Sequence, residues 1–209
     1  GLNFLQGFGL GQGDAVLKLD YYHTRFQNQV VVDLDSNPQE VHFYNLEGRS
    51  WSNSFQAQLD LEPLERYDIR LAYRLNDVRT TYGDEFLPRP LTARHRAFAN
   101  MAYATKNNWS IDLTWNWQGS KRIPNTESNP EPYRLESSSP AFSLVNLQVG
   151  KTLFDRLELY AGFENLFRSV QKDPILASDD PFGHYFDASL VWGPVFGRKF
   201  YGGLRFRIN

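Results

Sequence analysis

Side chains that alternate strictly between apolar and polar, over and over along one chain, leave few folds open. In Trp109–Gln118, Trp109, Ile111, Leu113, Trp115 and Trp117 fall on one face and Ser110, Asp112, Thr114, Asn116 and Gln118 on the other. Residues 67–76 repeat the pattern, with Tyr67, Ile69, Leu71, Tyr73 and Leu75 opposite Asp68, Arg70, Ala72, Arg74 and Asn76, and so do 157–164 and 200–208. Successive side chains of a strand point to opposite faces, so a period of two dictates β-strands, while the helical period is almost absent. Weaker alternation over 14–32, 41–61, 94–105 and 142–153 brings the expected number of strands to eight, and 3–10 reads as the end of a possible ninth.

The connections carry as much information as the strands. Tight turns are expected at 63–66, 106–108 and 154–156, and a fourth at 11–13. Between them lie long polar segments, 77–93, 119–141 and 165–197, rich in Pro, Asn, Ser and Asp; 33–40 is shorter than its class. Strict alternation of short and long connections puts every tight turn at one end of an up-and-down antiparallel sheet and every long loop at the other, the asymmetry of outer-membrane barrels. Pairing through the turn at 106–108 sets Tyr103 against Ile111, Met101 against Leu113 and Ala99 against Trp115, with Ala102 and Asn100 meeting Asp112 and Thr114 on the second face. Pairing through 63–66 sets Leu61 against Tyr67, Leu59 against Ile69, Ala57 against Leu71 and Phe55 against Tyr73; it leaves Asp60 facing Asp68 and Gln58 facing Arg70. A slip by one residue would set polar against apolar throughout.

Alternation alone does not say which face meets lipid, and a soluble lipocalin-like barrel would bury the apolar one. Composition and spacing favour a membrane. Aromatic residues make up 15% of the chain and stand at both ends of the apolar face. Trp109 and Trp117 are separated by roughly 20 Å on a strand tilted by about 40°, close to the height of a lipid-facing band. The long loops are too one-sided for a compact soluble barrel, and the last strand ends in alternating apolar residues of the kind barrel-assembly signals use. No apolar run approaches the roughly 18–20 residues of a spanning helix, the longest being 190–197. Net charge is −2 with 22 basic and 24 acidic residues mixed along the chain, so no basic block addresses nucleic acid; the absence of cysteine excludes disulfides and cysteine metal sites. The chain starts at Gly1 without a leader, as expected of a mature form or a fragment.

The segments LELYAGFENLF (157–167), DPI (173–175) and DPFGHYFDASLVWGPVFGRKFYGGLRFRIN (180–209) resemble the C-termini of TonB-dependent receptors, especially those of Bacteroidetes-type bacteria. NQVVVDLD (28–35), FYNLEGRSWSNSFQAQL (43–59) and RPLTARHRAFANMAYAT (89–105) fit the same family. The resemblance implies an all-β antiparallel transmembrane barrel, with residues 1–209 supplying about the last eight of 22 strands in the outer membrane of a Gram-negative bacterium. It also implies an N-terminal plug domain and TonB box outside this chain, and partners in the bilayer and lipopolysaccharide, the plug and remaining strands, the TonB complex, a nutrient ligand and a surface lipoprotein. The terminal Asn209 departs from the aromatic residue that many barrels carry there.

Candidate sites are few. Lys121, Arg122, Tyr133 and Arg134 can hold an anionic chelate by charge and stacking, against the plainer reading of a solvated loop. Arg70, Arg74, Arg94, Arg96, Arg205 and Arg207 point inward by alternation and can line a substrate path or grip a plug, plug contact being the preferred specific reading; plain lumen polarity explains them equally well. Asp179, Asp180, His184 and Asp187 have metal-ligand chemistry, but Pro181 and Gly183 mark a turn, so no metal and no cofactor is assigned. The four histidines are scattered and no nucleophile motif or phosphate loop occurs, so no enzyme is expected. The leading function is uptake of a large scarce nutrient: a siderophore-iron chelate, cobalamin, another metal chelate or a glycan. The alternative is a free-standing eight-stranded barrel serving as anchor or adhesin, whose interior side chains must fill the tube. Inward Ser52, Ser54, Ala72, Ala102, Gly150, Gly162 and Gly203 are too small to do so.

Overall fold

The computed structural model describes residues 1–11 and 13–208; Gln12, within the turn expected at 11–13, and Asn209 lie outside the described residues. In chain order the strands are β1 (Leu2–Leu10), β2 (Gly13–Phe26), β3 (Val30–Asp33), β4 (His42–Asn45), β5 (Ser50–Leu64), β6 (Tyr67–Tyr82), β7 (Glu85–Pro88), β8 (His95–Ala104), β9 (Trp109–Gln118), β10 (Phe142–Leu153), β11 (Leu157–Glu164) and β12 (Lys199–Phe206). Nine of them form one antiparallel meander, β1-β2-β5-β6-β8-β9-β10-β11-β12, in which β1 and β12 are the edges and do not pair with each other. The sheet is all-β and curves as part of a barrel wall without closing. The nine wall strands are the eight expected plus the possible ninth at 3–10, which is β1, and their open edges do not describe a free-standing eight-stranded barrel.

One register row shows why this sequence makes this sheet. Phe8, Ala15, Leu61, Ile69, Met101, Leu113, Leu147, Phe163 and Phe200 are consecutive cross-strand partners from one edge to the other, and every one is apolar. The next row on the opposite face runs Gly7, Val16, Asp60, Arg70, Asn100, Thr114 and Asn146, largely polar. The apolar face is left open: Leu113 on a central strand is 36% accessible and Leu204 on the edge strand β12 is 69%. A largely apolar face left open is what lipid contact requires, and no soluble barrel presents it. Tyr67 and Tyr103, in edge-on contact at 5.9 Å, and Trp109, beneath the Lys151 ammonium at 5.2 Å, mark its turn end. Tyr21, Phe55, Tyr73 and Trp117 mark its loop end.

The register through the turn at 106–108 matches the sequence-based pairing residue for residue, from Tyr103 with Ile111 to Ala99 with Trp115. The other hairpin differs. Leu61 faces Ile69, Leu59 faces Leu71 and Ala57 faces Tyr73, two residues from the expected alignment. Pro63 has no N–H to give the ladder, so Glu62 and Pro63 oppose Asp68 alone in a bulge, and the turn tightens to Glu65–Arg66 with Arg66 at φ 68°. A shift of two preserves both faces. It also replaces the awkward Asp60–Asp68 contact with an ion pair between Asp60 and Arg70 at 2.6 Å. Gly13 starts β2 against this bulge, where an added Cβ would run into the Glu62 carbonyl.

Two long strands expected at 14–32 and 41–61 each divide. The wall strands end at Phe26 and begin again at Ser50, and β3 and β4 pair only with each other. The connection between them is therefore 27–49, as long as its fellows. β6 likewise runs past the expected 76 to Tyr82 and turns back as β7. The small inward residues near the C-terminus are covered: the Tyr160 ring lies over Gly203 and the Tyr201 ring over Gly162, positions where any Cβ would collide with the ring. Tyr201 Oη also donates to Gln148 at 3.0 Å.

Leu113→Arg in the intact parent protein is expected to cost about 2–4 kcal/mol of folded stability, as for arginine at a bilayer midplane. Thr114→Arg, on the polar face, is expected to cost no more than about 1 kcal/mol, the scale of the net hydrogen bond it gives up to Asn100. Heat-modifiable mobility in detergent after refolding titration measures both, and equal damage at the two positions would reject this orientation.

Candidate functional site

All four long connections, 27–49, 83–94, 119–141 and 165–198, leave the same end of the sheet and are braced against one another. Arg122 is the central brace. Its Nη1 and Nη2 donate to both carboxylate oxygens of Asp35 at 2.7 and 2.8 Å, and its Nε donates to the Pro88 carbonyl at 2.7 Å. One guanidinium thus ties three loops together, with both charged side chains less than one-fifth exposed. The Tyr82 ring lies 5.6 Å from the same group. Gln39 donates to Asn129 at 2.6 Å, and Tyr133 stacks on Tyr185 at 5.2 Å. Lys121 Nζ donates to the Trp192 carbonyl and sits 5.3 Å from the Phe142 ring.

Asp33 anchors the β3–β4 hairpin from inside. It is 1% exposed and accepts from the Asp35 and Ser36 amides at 2.8 and 3.1 Å, the Ser36 hydroxyl at 2.6 Å and the Tyr44 hydroxyl at 3.0 Å. Burial pushes its carboxyl up, but these four donors outweigh that effect and hold it below the ordinary carboxylate value. A cleft of about 530 Å³ opens between these loops, with Asp35, Tyr82, Glu85, Arg122, Thr126 and Ser137 among its walls.

The four loop residues singled out from the sequence fall in different settings. Arg122 is consumed by its carboxylate and carbonyl partners. Arg134 Nε donates to the Asn129 carbonyl at 2.7 Å within its own loop, and Tyr133 is stacked as described. Lys121 is partly buried; desolvation first, and the charge of Arg96 second, lower its pKa from the ordinary lysine value. The group Asp179, Asp180, His184 and Asp187 is dispersed. His184 and Asp187 share a small crevice with Gln39 and Leu190, while Asp180 closes a turn to Gly183 and Asp187 accepts from the Ser189 amide. Among the described residues, no three histidine, aspartate or glutamate side chains are grouped to hold a metal ion.

The arginines expected to point inward also divide. Arg70 is paired with Asp60, which also takes Lys18 at 2.7 Å, and Arg205 is paired with Glu158 at 2.9 Å. Arg94 stands opposite Asn76 through a backbone hydrogen bond, yet its guanidinium reaches Asp77 at 3.7 Å, a residue of outward parity. Arg207 lies beyond β12, its amide bonded to the Arg156 carbonyl at the turn end. Arg74 and Arg96 are direct cross-strand neighbours on the inner face and form no ion pair among the described residues. Gln56, Asn116 and Gln118 share their shallow cleft of about 230 Å³, just below Lys121 and the loops. Sequence reasoning missed Asp33, Asp35 and the Arg74–Arg96 adjacency. The first has a local signal in Asp33-Leu34-Asp35-Ser36, whose carboxylates can cap the turn that follows; the others depend on partners far away in sequence.

Arg122→Gln is expected to raise hydrogen exchange together in 27–49, 83–94 and 119–141, because charge-assisted hydrogen bonds of about 1.5–3 kcal/mol are lost. Exchange confined to 119–141 would show that it is no brace. The depressed Asp33 carboxyl stabilises the hairpin fully above the ordinary carboxylate range. That stability is lost as pH falls through this range to the lower folded value. Protection of the β3 and β4 amides should fall along that course, and Asp33→Asn should flatten the pH dependence.

No curated protein sequence matches this chain. A family profile described as TonB dependent receptor-like, beta-barrel matches residues 1–166. Among solved structures, the chain is similar to the ferric-catecholate import receptor Fiu from E. coli K12, with a TM-score of 0.62 at 13% identity over 93% of this chain and 26% of that one. It is similar to the pyoverdine outer membrane receptor FpvA from Pseudomonas aeruginosa PAO1, with 0.62 at 15% over 99% and 29%. It is also similar to the FrpB iron transporter from Neisseria meningitidis, with 0.58 at 11% over 98% and 30%. The chain therefore spans between a quarter and a third of the length of these structures. Members of the matched family sit in the outer membrane and are transport receptors rather than enzymes. With the one-sided loops, the open apolar face and the profile match over most of its length, the chain belongs to the TonB-dependent receptors, in their β-barrel.

Proposed function

We propose that this chain supplies part of the barrel wall and extracellular loops of a receptor that takes up a large scarce nutrient across the outer membrane of a Gram-negative bacterium. The observation that carries this reading is the sheet itself, with one face apolar across all nine strands, the other largely polar, and all long loops braced at one end. Open backbone edges in lipid cost several kcal/mol for each unsatisfied group, so further strands of a longer protein pair with β1 and β12. A plug domain fills the lumen, and TonB supplies the energy through that part of the parent. Import of ferric catecholates, binding of pyoverdine and iron transport are the named roles of the three similar structures. They favour an iron chelate over cobalamin or a glycan as the cargo.

Within this reading, the adjacent Arg74 and Arg96 grip carboxylates of the plug. They carry two like charges side by side with no ion-pair partner among the described residues, an arrangement that asks for an anion from elsewhere. Arg74→Gln/Arg96→Gln in the parent, recovered from outer membranes, should lower nutrient uptake about tenfold, the scale of one lost charge-assisted contact. Binding at the cell surface should stay within about twofold, and protease nicking of the plug should rise. Unchanged uptake and unchanged nicking would remove this role, and recovery of the parent as a soluble monomer would overturn the whole reading.

A further inference from the structure

The cleft of about 530 Å³ at the loop end lies on the inner side of the sheet. Ser50 pairs with Thr80, Thr80 with Leu87 and Tyr82 with Glu85, so Tyr82, Glu85 and Leu87 carry the inward face of Ser52 and Ser54 up past the wall. Asp35 and Ser36, just after β3, close it on one side and the stretch 122–127 on another. Its walls hold four carboxylates, those of Asp35, Asp84, Glu85 and Glu127, and one cation, Arg122. That guanidinium is spent on both oxygens of Asp35 and on the Pro88 carbonyl. Asp84, Glu85 and Glu127 are exposed and form no ion pair among the described residues. Resting on the receptor reading above, we propose that this cleft receives an ammonium group of the cargo, and that the cargo is a cationic iron chelate rather than an anionic one.

Charge balance is the first support. A cleft focuses the field of its own charges, and an anionic chelate entering this one would meet three uncompensated carboxylates with no free cation to receive it. Lys121 and Arg134, basic residues expected from the sequence to hold an anion, are engaged elsewhere. Lys121 Nζ donates to the Trp192 carbonyl and Arg134 Nε to the Asn129 carbonyl, and neither side chain forms part of these walls. An ammonium group instead finds carboxylate acceptors, each contact a charge-assisted hydrogen bond. Preorganisation is the second support. The Gly83 amide donates to the Tyr44 hydroxyl at 3.1 Å, fixing the β6–β7 turn that carries Asp84 and Glu85 against the β3–β4 hairpin. The Asn125 amide donates to Asp35 at 3.0 Å and the Glu127 amide to the Asn125 side chain at 2.8 Å. The buried Thr126 hydroxyl accepts from the Leu135 amide at 2.8 Å. Glu85 and Glu127 therefore stand on two separate, fixed walls, so little ordering remains to be done when a cation arrives. The cleft shares no wall residue with that of Arg74 and Arg96, which makes cargo and plug contacts separable.

The test uses the intact parent purified in detergent from outer membranes, with tryptophan fluorescence reading the binding of three ferric chelates. These are a trihydroxamate bearing a free amine, the same chelate N-acetylated, and an anionic tris-catecholate. The free-amine chelate should bind about tenfold more tightly than its acetylated form. Glu85→Gln/Glu127→Gln should remove that difference, weakening the free-amine chelate about tenfold and leaving the acetylated one within about twofold. Glu65→Gln/Asp155→Asn, the same loss of charge at the turn end, should change neither. Unaltered heat-modifiable mobility shows that each variant is folded. Equal binding of the two trihydroxamates by wild type, no binding of the free-amine chelate up to millimolar concentration, or tighter binding of the tris-catecholate would overturn this site. Iron uptake from the tris-catecholate by cells carrying the parent would then leave the receptor reading standing, whereas absence of the parent from outer membranes would overturn both.

Discussion

A backbone that crosses lipid has no water to satisfy its N–H and C=O groups, so each must find a partner inside the sheet. That requirement organises everything else in this chain. It keeps the nine wall strands in continuous ladders, restricts Pro63 to a bulge and confines irregular backbone to the loop end. It also separates the two faces, because a regular ladder hands alternate side chains to lipid and lumen. The row from Phe8 to Phe200 and its neighbour from Gly7 to Asn146 are two readings of the same rule.

How much of this is legible in the sequence depends on how local the controlling interaction is. The hairpin around 106–108 could be aligned residue by residue, because a short turn without proline leaves one register that matches both faces. At 63–66 the faces were legible and the register was not: a proline reads as a turn, whereas here the strand absorbs it in a bulge and turns two residues later. The valines of 30–32 alternate with Asp33 as a wall strand would, yet β3 pairs only with β4, since the ladder partners decide which sheet a strand joins. The loops were the least readable. Lys121 and Arg122 are adjacent basic residues in the sequence, but one is bound to a carbonyl and the other to a carboxylate 87 residues away.

The inner face is not uniformly charged. Near its turn end, Lys18, Arg70 and Arg205 are neutralised within the wall by Asp60 and Glu158. Near the loops, Arg74 and Arg96 stand together amid amides. A wall that balances its own charges at one level and leaves them unbalanced at another presents a directional field along the lumen. The tyrosine rings laid over Gly162 and Gly203 work in the same space by a different means, giving the C-terminal strands a smooth, thin lining where larger side chains would project.

Exposed loops ordinarily tolerate sequence change because each is free to drift on its own. Here Arg122 makes Asp35 and Pro88 neighbours of one group, and Gln39 with Asn129 and Tyr133 with Tyr185 add further ties. Substitution at any of these points is felt in a second loop, so the braced positions must vary in concert. Insertions are then channelled to the segments between the ties, such as the stretch around the fully exposed Phe182, and the loop end is inherited as a single block.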